Sequence, residues 1–406
     1  MKFPQIGPAF LVTAAFIGPG TVITASIAGA NYGFALLWAL LFSVIATLIL
    51  QEMTARLGIV TQQGLGENIR LACKTPLLRG LAIVLVLSAI VVGNGAYQSG
   101  NISGASLGLA SIFESLGSEV PFAQTLFPIL IGVIAFFLLI SGSYKLIEKV
   151  LIMLVAVMSI AFIITFLLTK PDVTVLFSGL FKPMIPDGAT LTVIALIGTT
   201  VVPYNLFLHA SSVSKKWQSV TQLPQARKDL FISIPLGGLI SMAILSTAAT
   251  AFFGSQVSIT SAADIAPSLQ PLFGDMASVF IGVGLFAAGI SSAVTAPLAA
   301  AFALSGILNL NKNLHSNSFK TIWIIVLFLG IIGASLDYKP IAIIWFAQVA
   351  NGVLLPIVTI FLLWIMNTKT LGDYRNNTWQ NLLGLIVVLV SLLLSGRSLL
   401  SAFGFL

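Results

Sequence analysis

The chain of 406 residues is 58% hydrophobic and 8% charged, with a net charge of +7 and a mean hydropathy of +1.07. So few charges in a chain this long exclude a soluble globular domain, and the whole of 1–406 reads as one transmembrane domain of the all-α polytopic class. The basic excess sets orientation in a membrane rather than marking a nucleic-acid partner, and the lone cysteine, Cys73, excludes an intrachain disulfide and a cysteine-rich metal site.

Apolar runs of bilayer length predict eleven spans at 8–30, 33–57, 80–110, 124–143, 146–168, 189–212, 229–254, 274–308, 320–336, 340–366 and 379–402. The first run is too long for a cleavable signal peptide and contains Ala15-Phe16-Ile17-Gly18-Pro19-Gly20-Thr21. Pro19 removes a backbone donor and clashes one turn back. Gly18 and Gly20 ease the chain out of helical geometry. Freed backbone groups at membrane depth are tolerated where protein or a watery cavity satisfies them, so this break predicts an interior binding site.

The basic residues orient the map. With the amino terminus cytoplasmic, inside ends hold Lys2, Arg56, Arg70, Lys74, Arg79, Lys145, Lys149, Lys215, Lys216, Arg227, Lys228, Lys312, Lys320, Lys369 and Arg375. Outside ends hold only Lys170, Lys182, Lys339 and Arg397, together with Glu114, Glu119, Asp264 and Asp275. That asymmetry predicts an integral, multi-pass protein of the cell membrane with the lipid bilayer as its partner.

The sixth span carries a second break, at Val202-Pro203-Tyr204-Asn205, with His209 one turn on. Broken helices at matching positions of two five-helix halves are the signature of an inverted-repeat transporter. The halves are expected at about 8–168 and 189–366, with an extra helix at 379–402. In that architecture a substrate lies near the midplane between the breaks; the plainer alternative is that both prolines only kink buried helices. The third span has an uncharged polar run, Gly93 to Asn101. The eighth is dense in small residues from Ala287 to Pro297, which reads as close helix packing. The tenth holds Gln348 and Asn351, where interhelical bonding and substrate contact are both open for Gln348.

With these motifs in hand, the chain resembles the NRAMP family of proton-coupled divalent metal transporters almost end to end. The resemblance rests on Gly29-Ala30 and Leu36-Leu37-Trp38, Gln51-Glu52-Met53-Thr54-Ala55-Arg56-Leu57-Gly58, Pro203 to His209, Ala288-Gly289 with Ser291-Ser292, and Gln348-Val349. It implies the inverted-repeat fold shared with amino-acid transporters, broken in helices 1 and 6. It also implies substrate contacts at Ala15, Gly18, Gly20, Thr21, Val202, Tyr204, Asn205 and Gln348, with Thr21, Asn205 and Gln348 as metal ligands and His209 on a proton path. The chain departs from the family pattern where it matters most. Gly18-Pro19-Gly20-Thr21 stands in place of Asp-Pro-Gly-Asn, Val202 replaces a Met, and Tyr204 replaces a His. The stretch from Tyr97 to Asn101 lacks the family's acids.

Among nearby acids, Glu52 is expected to pair with Arg56 four residues on, and Asp229 to sit at the amino end of span seven. The remaining ligands are neutral. They suit a hard cation that keeps several waters and discriminate poorly between manganese or iron and magnesium or calcium. A second class stays open. Bare N–H groups at the Gly18 break attract anions, so a small organic or anionic solute is the alternative, and a non-transporting homologue is a third. No catalytic constellation and no phosphate-binding loop occurs, so no enzyme activity and no cofactor is expected. Nothing in the sequence sets an oligomeric state, and a monomer suffices for this reading.

Overall fold

The computed structural model describes residues 7–118, 120–141, 145–255 and 258–402. Sixteen α-helices follow one another: α1 (Pro8–Phe16), α2 (Pro19–Tyr32), α3 (Leu37–Thr61), α4 (Leu65–Ala72), α5 (Pro76–Ser115), α6 (Ala123–Ser141), α7 (Lys145–Thr169), α8 (Val173–Phe181), α9 (Thr190–Thr200), α10 (Pro203–Lys216), α11 (Leu223–Phe252), α12 (Gln270–Phe273), α13 (Ala277–Leu308), α14 (Asn317–Ala334), α15 (Pro340–Ile365) and α16 (Thr378–Ala402). Among the described residues there is no strand.

Among the described residues, ten helices or helix runs are long and apolar enough to cross a membrane, and α1 with α2, bent by 54°, makes an eleventh, broken span. The expected eleven spans are therefore present, in the inverted-repeat architecture. Boundaries moved by several residues: the second span is Leu37–Thr61 and the third extends over Pro76–Ser115. Glu119 and Lys2 lie outside the described residues.

The start signals are local. Pro8, Pro19, Pro76, Pro203 and Pro340 each open a helix in its first turn, where the missing N–H costs nothing. Thr75, Asp172 and Ser316 accept hydrogen bonds from first-turn amides of α5, α8 and α14.

Prolines inside helices need partners in hydrocarbon, because each removes the donor for the carbonyl four residues back. Pro297 does this to Ala293 in α13, and Gln98 Nε2 of α5 supplies the missing bond at 2.9 Å. Asn94 Nδ2 reaches the Ala296 carbonyl at 3.2 Å. Pro356 frees the Gly352 carbonyl of α15, and Ser395 of α16 donates to it at 3.2 Å. Part of the polar run in α5 is thus the glue that holds the proline-bent α13. The small-residue stripe of α13 packs as expected: a side chain at Gly289 would run into the backbone of Ala105.

At the lysine-rich end, Glu52 of α3 pairs with Arg56 at 3.0 Å, as the i,i+4 spacing predicts, and also with Arg227 of α11 at 2.7 Å. Arg56 donates onward to the Tyr374 carbonyl at 2.9 Å and to Asn376 Oδ1 at 2.8 Å. One carboxylate therefore ties α3, α11 and the α15–α16 connection together. The lipid-facing flanks are apolar and exposed, as at Phe137, Phe346 and Leu393.

Candidate functional site

The two breaks have the same construction. Ile17 (φ −82°, ψ 58°) leaves helical geometry, Gly18 is extended, and Pro19 starts α2. Val201 (φ −94°, ψ 71°) leaves it likewise, Val202 is extended, and Pro203 starts α10. These are interruptions of the backbone ladder, not kinks of a continuous helix. Each proline sits four residues after a carbonyl that it cannot serve: Pro19 after Ala15, Pro203 after Thr199. Neither Gly18 nor Val202 offers a side-chain cap; the Thr21 and Asn205 N–H groups instead turn back onto the Gly18 and Val202 carbonyls, at 3.1 and 3.0 Å.

The breaks meet. Thr21 Oγ1 donates to the Phe16 carbonyl at the end of α1 and lies 2.7 Å from Thr199 Oγ1 of α9. Both threonines are fully buried. Gln348 of α15 lies directly over Gly20, where any side chain would collide with the Gln348 amide. Close approach, not a positive φ, is what requires glycine there. Pro19 in turn packs against Gly104 of α5.

Several polar atoms at this junction are buried without a hydrogen-bond partner. They include both amide atoms of Asn205 and Oε1 of Gln348. Asn205 and Gln348 are each 1% exposed. Such atoms cost on the order of 1–3 kcal/mol apiece when left unpaired, and in a folded protein they point to a ligand or a functional role. Tyr204 packs edge-to-face on Tyr97 of α5, ring centres 5.3 Å apart. Tyr97 was read only as part of a polar run; its burial against Tyr204 places it in the wall of this junction. His209 lies four residues beyond Asn205 on α10. Its Nδ1 is 3.1 Å from Thr54 Oγ1, and its Nε2 has no partner.

The structure thus brings Gly20 against Gln348 and Thr21 against Thr199, with Gly18 and Val202 at the two breaks, Tyr204 and Asn205 buried in the first turn of α10, and the backbone of Ala15 at the end of α1. Thr199 was not among the sequence candidates, although the position four before Pro203 signals it. Among the described residues, no three His, Cys, Asp or Glu side chains come together to hold a metal.

Asp229 is elsewhere than expected. It does not open its own helix, because α11 begins at Leu223. Its carboxylate instead accepts the Ala9 N–H at 2.9 Å and so caps the amino end of α1. Arg227 and Lys228, placed at an inside end before span seven, lie within the first turns of α11, where long basic stems extend to the polar end.

A cavity of about 380 Å³ opens at the lysine-poor end of the same spans, lined among others by Asn31, Tyr32, Thr192, Lys339 and Trp345. No carboxylate lines it.

A model of the Nramp family, described as natural resistance-associated macrophage protein-like, matches residues 9–401. The chain belongs to the Nramp family. A divalent metal cation transporter MntH of Yersinia pestis (strain Pestoides F) is 27% identical over 409 residues, covering 99% of this chain and 96% of the relative. One from Klebsiella pneumoniae subsp. pneumoniae is 28% identical over 405 residues, covering 98% and 94%. The Eremococcus coleocola manganese transporter, solved with an aromatic bis-isothiourea substituted compound, superposes with a TM-score of 0.77 at 22% identity, over 97% of this chain and 86% of its own. MhsT in complex with L-phenylalanine shares the fold more distantly, with a TM-score of 0.65 at 17% identity, over 97% and 98%. The protein is an Nramp-family transporter built on the fold of both structures.

Proposed function

We propose that this Nramp protein is a secondary transporter that carries a divalent cation by alternating access, on a site made of neutral oxygen ligands. The observation that carries the reading is the set of unpaired, buried amide oxygens of Asn205 and Gln348 at a junction of two helix breaks. The carbonyls of Ala15 and Thr199, whose helical donors are prolines, and the hydroxyl of Thr21 complete the set. Gly18 in place of an acid removes the charge that pulls a cation out of its water shell. The ion then keeps several waters, as magnesium does. Val202 in place of a thioether removes the preference for softer ions. Selectivity among manganese, magnesium and calcium is correspondingly weak. The names of the MntH relatives support the ion class, and the positive-inside asymmetry supports a cytoplasmic amino terminus in a cell membrane.

In this reading α1 and α10, the half-helices toward the lysine-rich end, move against the rest. The Glu52 pairings and the Asp229 cap hold that end closed. His209, one helical turn beyond Asn205 on α10, is the group through which proton coupling runs. Replacing it by Gln is expected to remove the pH dependence of uptake while leaving binding of the ion.

A second reading has its own observations: the amino ends of α2 and α10 open at the breaks without a side-chain cap, and Lys339 lines a cavity without acids. Both favour a small organic anion. Gly18→Asp separates the two. It tightens divalent binding if a cation is carried and abolishes transport if an anion is. Unchanged binding of either class in the variant places the solute away from this junction.

A further inference from the structure

The lipid-facing side of α15 holds a second cavity, of about 450 Å³, between α5, α14 and α15. Its floor is small, with Ala96, Ser99 and Gly333, and its walls are Leu336, Ile343 and Phe346. The Ser99 hydroxyl is already donated to the Gly95 carbonyl at 2.9 Å, so the floor presents hydrocarbon. Phe346 is 62% exposed and Tyr338 65% exposed. The cavity is therefore a groove open to the side of the bundle rather than an enclosed core void. Its upper rim is Tyr338, beside Lys339 at the cap of α15. Tyrosine and lysine at the end of a span are the side chains that sit among lipid headgroups. Asp337 makes no ion pair with Lys339 among the described residues.

The first two turns of α15 separate this groove from the 380 Å³ cavity. Ala342 lines both, and Lys339 lines that cavity. A single basic side chain, Lys339, thus stands where the apolar groove and the cavity at the lysine-poor end meet.

We propose that the groove is a binding site for one anionic phospholipid. An acyl chain lies against Ala96, Gly333, Ile343 and Phe346, and the headgroup phosphate pairs with Lys339. The chain is recognised by the depth and small floor of the groove, and the headgroup by charge. The bound phosphate offsets the one charge lining that cavity, so the lipid tunes access for a charged solute. The site rests on the membrane-spanning fold and not on which solute is carried.

The test uses the full chain, purified and delipidated, with native mass spectrometry to count bound phosphatidylglycerol or phosphatidylcholine. A basic residue at a membrane surface favours an anionic lipid by about fivefold. The expected result is one phosphatidylglycerol retained with about that preference over phosphatidylcholine. Lys339→Gln should erase the preference while chain binding persists, and Ala96→Phe should remove both lipids by filling the floor. If Ala96→Phe does not give a monodisperse protein, Phe346→Ala, on the exposed wall, tests the same contact and should weaken both. Equal retention of the two lipids by the unmodified chain overturns the headgroup assignment. Binding that survives Ala96→Phe, or that is unchanged in Phe346→Ala in its place, overturns the groove. Because no solute is present, neither result depends on the transport reading.

Discussion

The nine-residue helix α1 is too short to hold its own shape and is kept in place by what it touches. Its amino end is capped by Asp229 of α11, whose Oδ2 accepts the Ala9 N–H at 2.9 Å. Its carboxyl end is covered by Thr21, which donates to the Phe16 carbonyl. Its flank lies on α11, where Gly237 meets Thr13 and the Phe16 ring. Asp229→Ala removes the cap and its charge together. Loss of a helix cap costs about 1 kcal/mol, and a carboxylate facing the positive end of a helix adds roughly 0.3–1 kcal/mol. Asp229 is only partly buried, so the lower part of that second range applies. The sum, about 1.4 kcal/mol, corresponds to about tenfold in the equilibrium between docked and undocked α1. Asp229→Asn keeps an acceptor and loses only the charge, so its effect is about twofold. Amide hydrogen exchange read by mass spectrometry on the protein in lipid nanodiscs measures this directly. Exchange over 9–16 should quicken by these factors, while exchange over the middle of α13 stays the same. Unchanged exchange in α1 refutes the cap, and a matching increase in α13 shows global destabilisation instead of a local latch.

Other outcomes follow from the same contacts. Gln98→Leu leaves the Ala293 carbonyl without a donor and should lower unfolding stability by about 1–3 kcal/mol. Pro297→Ala restores an N–H to that carbonyl, so the double variant should recover most of the loss in a thermal unfolding assay. Gly20→Ala drives a methyl into the Gln348 amide; uptake into proteoliposomes should fall sharply while thermal stability drops by only about 1–3 kcal/mol, the usual range for overpacking. Burial pushes the Cys73 thiol up from its ordinary value, and the side chain is 2% exposed. Little thiolate then forms at neutral pH, so maleimide labelling of the folded protein should be slow at pH 7, quicken above pH 9 and become rapid on unfolding.

The fold was legible because its signals are local and coarse. Apolar length gives the spans, lysines and arginines give the alternation, and the two interrupted spans stand out by Pro19 and Pro203. The junction of the two breaks, the candidate site, was legible in part for the same reason: residues beside those prolines meet if the breaks do. What the sequence concealed depends on which helices are neighbours. Gln98 and Asn94 read as free polar groups in a span, and only the packing of α5 on α13 shows that they serve carbonyls near Pro297. Asp229 reads as the start of span seven because an acid suits a helix amino end, which leaves Arg227 and Lys228 outside the span. Those basic side chains belong to α11, which moves Asp229 inward, under the end of α1. Thr199 was within reach of the sequence, since it precedes Pro203 by four residues just as Ala15 precedes Pro19.

The central claim is that a divalent cation binds where the two breaks meet, on neutral oxygens that include Asn205. Calorimetric titration of the purified protein with manganese, magnesium and calcium, beside Asn205→Ala, tests it most directly. The account predicts binding of all three ions with similar affinities, lost in the variant. Divalent binding that survives Asn205→Ala, or no heat with any of the ions while a small carboxylate binds, contradicts it.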